Sequence, residues 1–199
     1  MTNYIVNALE KDQGLVRRLP GVAGFWIFIL IDMVVFAALF LSYVVERVDQ
    51  VALFSASQAT LDVRLGLFNM LVLLTSSWFV AMAVHLARRG QSREVAWLLW
   101  GGVLSGLIFS VVKVYEYTEK FSAGTSMLTN DFYMFYFTLT GIHFVHVLIG
   151  VMVLSFLAVR AKRGGYSHGN AKGLEVGATY WHMVDLLWIM LFPLLYMAR

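Results

Sequence analysis

The stretch FTLTGIHFVHVLIGVMVLSF, residues 137–156, is almost entirely apolar and is long enough to cross a membrane as a helix. An α-helix rises about 1.5 Å per residue, so about 20 apolar residues span the roughly 30 Å hydrocarbon core. The stretch also carries His143 and His146, three positions apart and near its middle. Imidazoles are unfavourable in lipid, so a metal, a proton, a lipid headgroup or a neighbouring helix has to account for them.

The composition of the whole chain is that of an integral membrane protein. Hydrophobic residues make up 60% of the 199 positions and charged residues only 14%, and the mean hydropathy is +0.73. A soluble domain of this length could not bury so much apolar surface. The absence of cysteine excludes disulfides, iron–sulfur clusters and thiolate zinc sites. The formal net charge of +3 is too diffuse to indicate a nucleic-acid partner.

Five segments are long and apolar enough to be transmembrane helices. They cover about 22–45, 65–87, 95–117, 132–159 and 176–198. Backbone polar groups in lipid have to be satisfied within each segment, so we expect an all-α integral membrane bundle of five helices. Residues 1–20 lack the pattern of a secretory signal and are predicted to form a cytoplasmic tail, followed by a single transmembrane domain over 21–199. The connections 46–64 and 118–131 are polar.

The distribution of basic residues predicts the orientation of the chain. The tail and the connections 88–94 and 160–175 fall on one side of the membrane. Their lysines and arginines are Lys11, Arg17, Arg18, Arg88, Arg89, Arg93, Arg160, Lys162, Arg163 and Lys172. The opposite side has Arg47, Arg64, Lys120 and Arg199, with Lys113 near the end of the third span. Basic residues are enriched in cytoplasmic loops, so we expect the N-terminus in the cytoplasm and the C-terminus outside.

Several ionisable side chains fall inside the predicted spans. Asp32 lies about mid-bilayer in the first span, and His143 and Asp185 lie at similar depths in the fourth and fifth. Glu116 lies near the outer end of the third span, and His85 lies at a cytoplasmic rim where water can solvate it. An aspartate at a helix centre costs about 2.5–3.5 kcal/mol on insertion scales, so such residues are candidates for a functional site.

Three pairs of these side chains are spaced so that both members share a helix face: Glu116/Glu119, His143/His146 and His182/Asp185. A metal site is one interpretation, because such pairs on facing helices build di-iron sites in bundles. No HExxH or ExxH motif occurs, however, and Glu119 lies beyond the predicted span. A proton relay is a second interpretation. Hydrogen bonds between helices or to lipid headgroups are the third, and we favour them for Asp32 and for the last pair.

An aromatic stripe follows one face of the fifth span. Trp181, Asp185, Trp188 and Phe192 recur at helical spacing. A cofactor could lie against such a stripe, but a packing seam between helices is the more common use of this pattern.

Four stretches, in this order along the chain, resemble subunit III of the haem–copper oxidases. They are ILIDMVVFAALF, with Asp32 where the family usually has a carbodiimide-reactive glutamate; KVYEYTEKF, with Glu116 as the buried acid; TGIHFVHVLIG, which matches T-G-x-H-x-x-H-V-x-x-G; and YWHMVDLLW, which is similar to Y-W-H-F-V-D-x-V-W. The resemblance covers about residue 21 to the end of the chain, and it is to the five-helix form. LFSASQATLDVRLGLF and NDFYMFYFTLTGIH look most like the NorE-type branch found beside nitric oxide reductases.

The resemblance implies a non-catalytic accessory subunit in the inner membrane of a bacterium. Such a subunit binds no haem, copper or other metal itself; haem, with copper or non-haem iron, belongs to a catalytic membrane subunit beside it. The resemblance also implies phospholipid in a helical cleft, with Glu116, His143, His146, Trp181, His182 and Asp185 at the lipid or helix interface. The first function expected is therefore a NorE-like subunit, and the alternative is subunit III of a cytochrome c or quinol terminal oxidase.

Two further classes of function stay open at this point, namely a membrane metalloenzyme and a proton transporter. Inverted repeats and broken helices, which are common in transporters, are not visible in the sequence. The chain also departs from the family pattern at Asp32 and at Pro193, and we expect Pro193 to kink the last helix or end its regular hydrogen bonding.

Overall fold

The protein is built from helices joined by short connections. A computed structural model describes residues 23–166 and 171–197, so the predicted tail over 1–20 lies outside the described residues. The helices are α1 (Ala23–Asp49), α2 (Val51–Gln58), α3 (Val63–Arg88), α4 (Ser92–Ser122), α5 (Asp131–Lys162) and α6 (Lys172–Phe192), and a π-helical turn (Pro193–Met197) follows α6. All except α2 are long and apolar enough to cross a membrane. The prediction of an all-α bundle with five spans is confirmed.

The helices extend beyond the hydropathic segments at several ends. α1 continues to Asp49 and α4 to Ser122, past the predicted ends at 45 and 117. Polar residues can continue a helix in water as long as no glycine or proline interrupts it, whereas hydropathy detects only the part in lipid. The connection 46–64, predicted only to be polar, contains the short helix α2. Its eight residues are too short to cross a bilayer.

Three of the long helices end in the same way, at a glycine with a positive φ. Gly90, Gly124 and Gly164 each have φ of 78° and follow α3, α4 and α5. The residue after each glycine donates its N–H to the carbonyl five positions earlier, as Thr125 does to Lys120 at 3.0 Å. This is the hydrogen-bond pattern of the Schellman motif, and it satisfies helix-end carbonyls that the bundle leaves open.

Helix α6 is the most buried of the five spans and α1 the least. α6 packs against α3 and α5, whereas α1 packs mainly against α5. The indole of Trp181 occupies a slot between Gly106 of α4 and Gly150 of α5. A Cβ atom at Gly150 would lie 2.6 Å from Trp181 Cε3, and one at Gly106 would lie 2.9 Å from Trp181 Cη2. The absence of side chains at these two positions therefore allows the three helices to close around the indole.

The regular hydrogen bonding of the last helix ends at Pro193, as predicted. The α-helix stops at Phe192 and the chain continues as the π-helical turn through Met197. Proline has no N–H to donate, so the α-helical pattern cannot pass through it. The wider turn positions Tyr196 inside the bundle, where its side chain is 1% exposed.

Candidate functional site

A buried ion pair lies in the C-terminal half of α4. Lys113 and Glu116 are three residues apart and therefore share a face of the helix. Lys113 Nζ lies 2.9 Å from Glu116 Oε2, and the side chains are 0% and 2% exposed. Both charges are thus removed from lipid and water alike, a position that ionisable groups occupy only with partners.

Two tyrosine hydroxyls form the remaining hydrogen bonds of this ion pair. Lys113 Nζ also donates to the hydroxyls of Tyr196, at 3.0 Å, and Tyr136, at 3.3 Å. The Tyr196 hydroxyl in turn donates to Glu116 Oε1 at 2.6 Å. An ammonium group has three N–H donors, and here each has an acceptor; both carboxylate oxygens also have a donor. The cluster Lys113–Glu116–Tyr136–Tyr196, hereafter the outer cluster, joins α4, α5 and the turn after α6.

His143 lies beside the outer cluster but takes no part in its hydrogen bonds. Its ring stacks on Trp188 at a centroid distance of 5.1 Å and meets Phe109 edge-on at 5.6 Å. The side chain is 0% exposed, and neither ring nitrogen has a hydrogen-bond partner among the described residues. A lipid headgroup cannot reach this imidazole unless the helices separate. His143 therefore lies at a helix interface, between α5, α4 and α6.

His146, one turn further along α5, connects the bundle to α1. Its Nε2 lies 3.0 Å from Asp32 Oδ1, and its Nδ1 lies 2.8 Å from the carbonyl oxygen of Ile142. A carbonyl only accepts, so Nδ1 carries a proton. Nε2 faces the carboxyl group of Asp32, so the two ionisable side chains are partners within the membrane. This contact makes the mid-membrane position of Asp32 tolerable.

A third polar contact joins α3 to α6. Ser76 Oγ accepts a hydrogen bond from Trp181 Nε1 at 3.0 Å, and Ser77 Oγ lies 2.7 Å from His182 Nδ1. Asp185 follows one turn later and is 3% exposed, and neither of its carboxyl oxygens has a hydrogen-bond partner among the described residues. All four members of the predicted aromatic stripe are buried, as a packing seam requires: Trp181, Asp185, Trp188 and Phe192.

The structure gives two of the three predicted pairs separate surroundings. Glu119 is exposed, whereas Glu116 is buried with Lys113 as its ion-pair partner. His143 packs against Trp188 and His146 against Asp32, but His182 and Asp185 both lie near Ser77. In residues 23–166 and 171–197, no three histidine, aspartate or glutamate side chains lie close enough to share a metal ion. These side chains can connect helices through hydrogen bonds. Among the described residues they do not form a set of ligands for a metal ion.

Sequence reasoning missed Lys113 as a member of the site. It was counted among the outside charges that set the orientation, and this was wrong because the ammonium group is fully buried. The signal was present in KVYE, where a lysine and a glutamate stand three residues apart. Tyr196, 80 positions from Glu116, carried no comparable signal, because only the turn after Pro193 brings it to the cluster.

Comparison with known proteins decides the family. Residues 16–198 match the family described as cytochrome c oxidase subunit III. The chain belongs to this family. The match spans all five membrane helices, and with them the three polar contacts between helices described above.

The chain is similar over most of its length to curated members of the family from bacteria. It is 28% identical over 193 residues to quinol oxidase subunit 3 of Bacillus subtilis, covering 96% of this chain and 93% of the relative. It is 28% identical over 176 residues to cytochrome c oxidase subunit 3 of Bacillus sp. PS3, covering 87% and 84%. A probable quinol oxidase subunit 3 of Staphylococcus aureus is 26% identical over 174 residues, with 87% of each chain covered.

Proposed function

We propose that this protein is the non-catalytic subunit III of a quinol or cytochrome c terminal oxidase. The observation that carries the proposal is the family match over residues 16–198, together with relatives of those names that align along nearly the whole chain. The NorE-type assignment, which the sequence pattern put first, becomes the second candidate, because the relatives cited are oxidase subunits. Denitrification and nitric oxide reductase have no support from those relatives.

The partner in this proposal is a haem-containing catalytic membrane subunit. Haem, with copper or non-haem iron, would lie in that subunit. The polar residues of this chain support the assignment because their hydrogen bonds connect its own helices, from Asp32 in α1 to Tyr196 after α6. We expect this chain to stabilise the catalytic subunit and to have no active site of its own.

The location proposed is the bacterial cytoplasmic membrane, with the N-terminus inside. The charge asymmetry behind this orientation becomes larger once the buried Lys113 is removed from the outside count. Because the chain has no cysteine, single cysteines can be introduced and labelled in intact cells. A membrane-impermeant maleimide should label a cysteine at Thr125, between α4 and α5, and leave one at Gln91, between α3 and α4, unlabelled.

The test of the function is purification of the tagged full chain from its own host in a mild detergent. Haem absorbance, metal content and the identity of co-eluting proteins are measured on one fraction. We expect stoichiometric haem with the large subunit of a terminal oxidase, and oxygen consumption with quinol or cytochrome c.

Other results would direct the assignment elsewhere. Co-elution with a nitric oxide reductase would establish the NorE-type branch instead. A chain that elutes without haem but with stoichiometric iron or zinc would overturn the proposal in favour of a metalloenzyme. Deletion of the gene gives a second readout. An accessory role predicts lower oxidase activity or a shorter enzyme lifetime, and it predicts that the haem-containing subunit alone still catalyses its reaction.

A further inference from the structure

Three buried polar side chains lie around the indole of Trp188, inside the bundle. They are Asn69 of α3, His143 of α5 and Asp185 of α6. Like Trp188 itself, each is at most 3% exposed. Both polar atoms of each of the three side chains, and Nε1 of Trp188, have no hydrogen-bond partner among the described residues. Buried polar groups nearly always have a partner, so these seven atoms require one.

The register of α3 against α6 is set by two contacts. A Cβ atom at Gly66 would lie 2.9 Å from the ring of Phe192, and Ser76 Oγ lies 3.0 Å from Trp181 Nε1. The later residue of α3 meets the earlier residue of α6, so the two helices run antiparallel. Each contact fixes a level at which the helices face each other.

Asn69 lies at the level of Trp188 in this register. It belongs to the same buried face of α3 as Gly66 and follows it by three residues, which is about 4.5 Å along the helix. Trp188 precedes Phe192 by four residues on the buried face of α6, which is about 6 Å. The levels of Asn69 and Trp188 therefore differ by only about 1.5 Å. Asp185 lies on the same face of α6, one turn before Trp188.

The indole of Trp188 also contacts α4 and α5. His143 stacks on it at a centroid distance of 5.1 Å, and Lys113 Nζ lies 5.0 Å from its centroid. The three N–H donors of Lys113 are already used within the outer cluster, so none remains for the ring nitrogens of His143. The imidazole therefore needs a partner other than this lysine.

Ser77 lies near Asp185 but cannot satisfy the carboxyl group alone. The serine hydroxyl carries one proton, whereas the carboxyl group has two oxygens and both are buried. The same hydroxyl lies 2.7 Å from His182 Nδ1, so it is shared with a second side chain. At least one oxygen of Asp185 therefore requires another partner.

The mixture of donors and acceptors around Trp188 indicates what binds there. Trp188 Nε1 only donates, an ionised Asp185 only accepts, and the amide of Asn69 and a neutral His143 do both. Indole and amide N–H groups do not coordinate a metal cation, and a carboxylate repels an anion. Water both donates and accepts, and a buried water forms about three hydrogen bonds to groups that otherwise lack partners.

We propose that about two or three water molecules are bound among Asn69, His143, Asp185 and Trp188. Their hydrogen bonds connect α3, α5 and α6 within the membrane-spanning part of the bundle. The neighbouring outer cluster differs from this site, because its side chains bond to one another directly. The inference needs only the fold, so it stands or falls separately from the oxidase assignment.

Radiolytic footprinting of the full chain in detergent tests this water site. An X-ray pulse splits water into hydroxyl radicals, bound water included, and the radicals oxidise the side chains next to them. Mass spectrometry of proteolytic peptides then gives the oxidation of each tryptophan. Trp181 is the internal control, because it lies on the same helix, is 0% exposed and already donates Nε1–H to Ser76. We expect the oxidation of Trp188 to rise with the dose and that of Trp181 to stay at background.

The variant Asn69→Leu tests the amide with a side chain of the same branching. If water is bound, the substitution leaves it short of a partner, so the unfolding equilibrium constant should rise about fivefold for each hydrogen bond lost. The oxidation of Trp188 should fall as well. Ser76→Ala, on the same face of α3, is the matched control. It removes the partner of Trp181 and should leave the oxidation of Trp188 unchanged.

Three results would overturn the proposal. Background oxidation at both tryptophans would mean that the interior around Trp188 is dry. Equal oxidation at Trp181 and Trp188 would mean that bulk water enters the whole bundle, with no site at Trp188. An Asn69→Leu variant that is more stable than the parent and keeps the oxidation of Trp188 would show that the amide binds no water.

Discussion

The hydroxyl of Tyr196 donates a 2.6 Å hydrogen bond to Glu116, although 80 positions separate the two residues. The same hydroxyl accepts from Lys113 at 3.0 Å, so the turn that follows Pro193 closes around a buried ion pair. The final residues of the described chain therefore stabilise the C-terminal half of α4, and the following predictions test this and the other helix contacts.

The first prediction concerns the buried ion pair. Lys113→Met or Glu116→Leu alone should lower the free energy of unfolding by about 3–5 kcal/mol, because each leaves a buried charge without its counter-charge. The double variant Lys113→Met/Glu116→Leu should recover most of this loss, since no charge then remains in the outer cluster. Denaturant titration in detergent measures the three variants.

An exposed ion pair serves as the control for that cycle. Arg88→Met/Glu175→Gln removes a pair whose arginine is 61% exposed, and solvent screening should limit its cost to less than about 1 kcal/mol. If the single variants of the outer cluster cost no more than this control, the buried pair does not stabilise the bundle.

The second prediction concerns the hydroxyl of Tyr196. Tyr196→Phe removes one acceptor from Lys113 and one donor from Glu116, so it should cost about 1–3 kcal/mol. Tyr166→Phe removes a buried hydroxyl that has no partner among the described residues, and it should be neutral or slightly stabilising. Thermal unfolding compares them, and hydrogen exchange at 193–197 should accelerate only in Tyr196→Phe.

The third prediction concerns the slot for Trp181. Gly150→Ala places a methyl group 2.6 Å from the indole, so we expect a loss of about 1–3 kcal/mol and a shift in tryptophan emission. Gly141→Ala, on the same helix, places its methyl group no nearer than 3.9 Å to the Tyr117 hydroxyl. It should neither lower the stability nor shift the tryptophan emission. Equal effects of the two substitutions would mean that helix propensity, not the slot, determines the outcome.

The fourth prediction concerns the link between α1 and α5. Asp32→Asn should leave insertion and assembly intact, because the amide can still hydrogen-bond to His146 and a neutral imidazole needs no counter-charge. Asp32→Leu should loosen α1, which has few other polar contacts with the bundle, and protease accessibility of the connection between α1 and α3 should rise. Failure of Asp32→Asn to assemble would identify the negative charge itself as the structural requirement.

The sequence predicted the number, order and approximate depth of the spans because lipid imposes one strong rule on each segment. Asp32, Glu116 and Asp185 also stood out, since an acid in an apolar run is rare. Their partners did not. Glu116 has residues three positions away on both sides, Lys113 and Glu119, and periodicity alone cannot choose between them. The choice is made by the packing of α5 and α6, which covers Lys113 and leaves Glu119 exposed.

Helix α2 shows a different limit of sequence reasoning. Its residues VALFSASQ carry no long apolar run, so hydropathy treats them as a connection. Phe54 of this helix packs into the core, with its ring centroid 5.7 Å from that of Phe132. This tertiary contact stabilises the helix, and no local sequence pattern predicts it.

The depth at which α6 is buried has a consequence for how the chain is made. Helices emerge from the ribosome in order, so α1 to α5 enter the membrane while Lys113 and Glu116 still lack Tyr196, and while Ser76 still lacks Trp181. The unfinished protein therefore presents unsatisfied polar groups to lipid until its last helix arrives. A copy that lacks α6 and the turn after it would therefore leave these groups unpaired, which gives a quality-control protease a way to distinguish it from a folded copy.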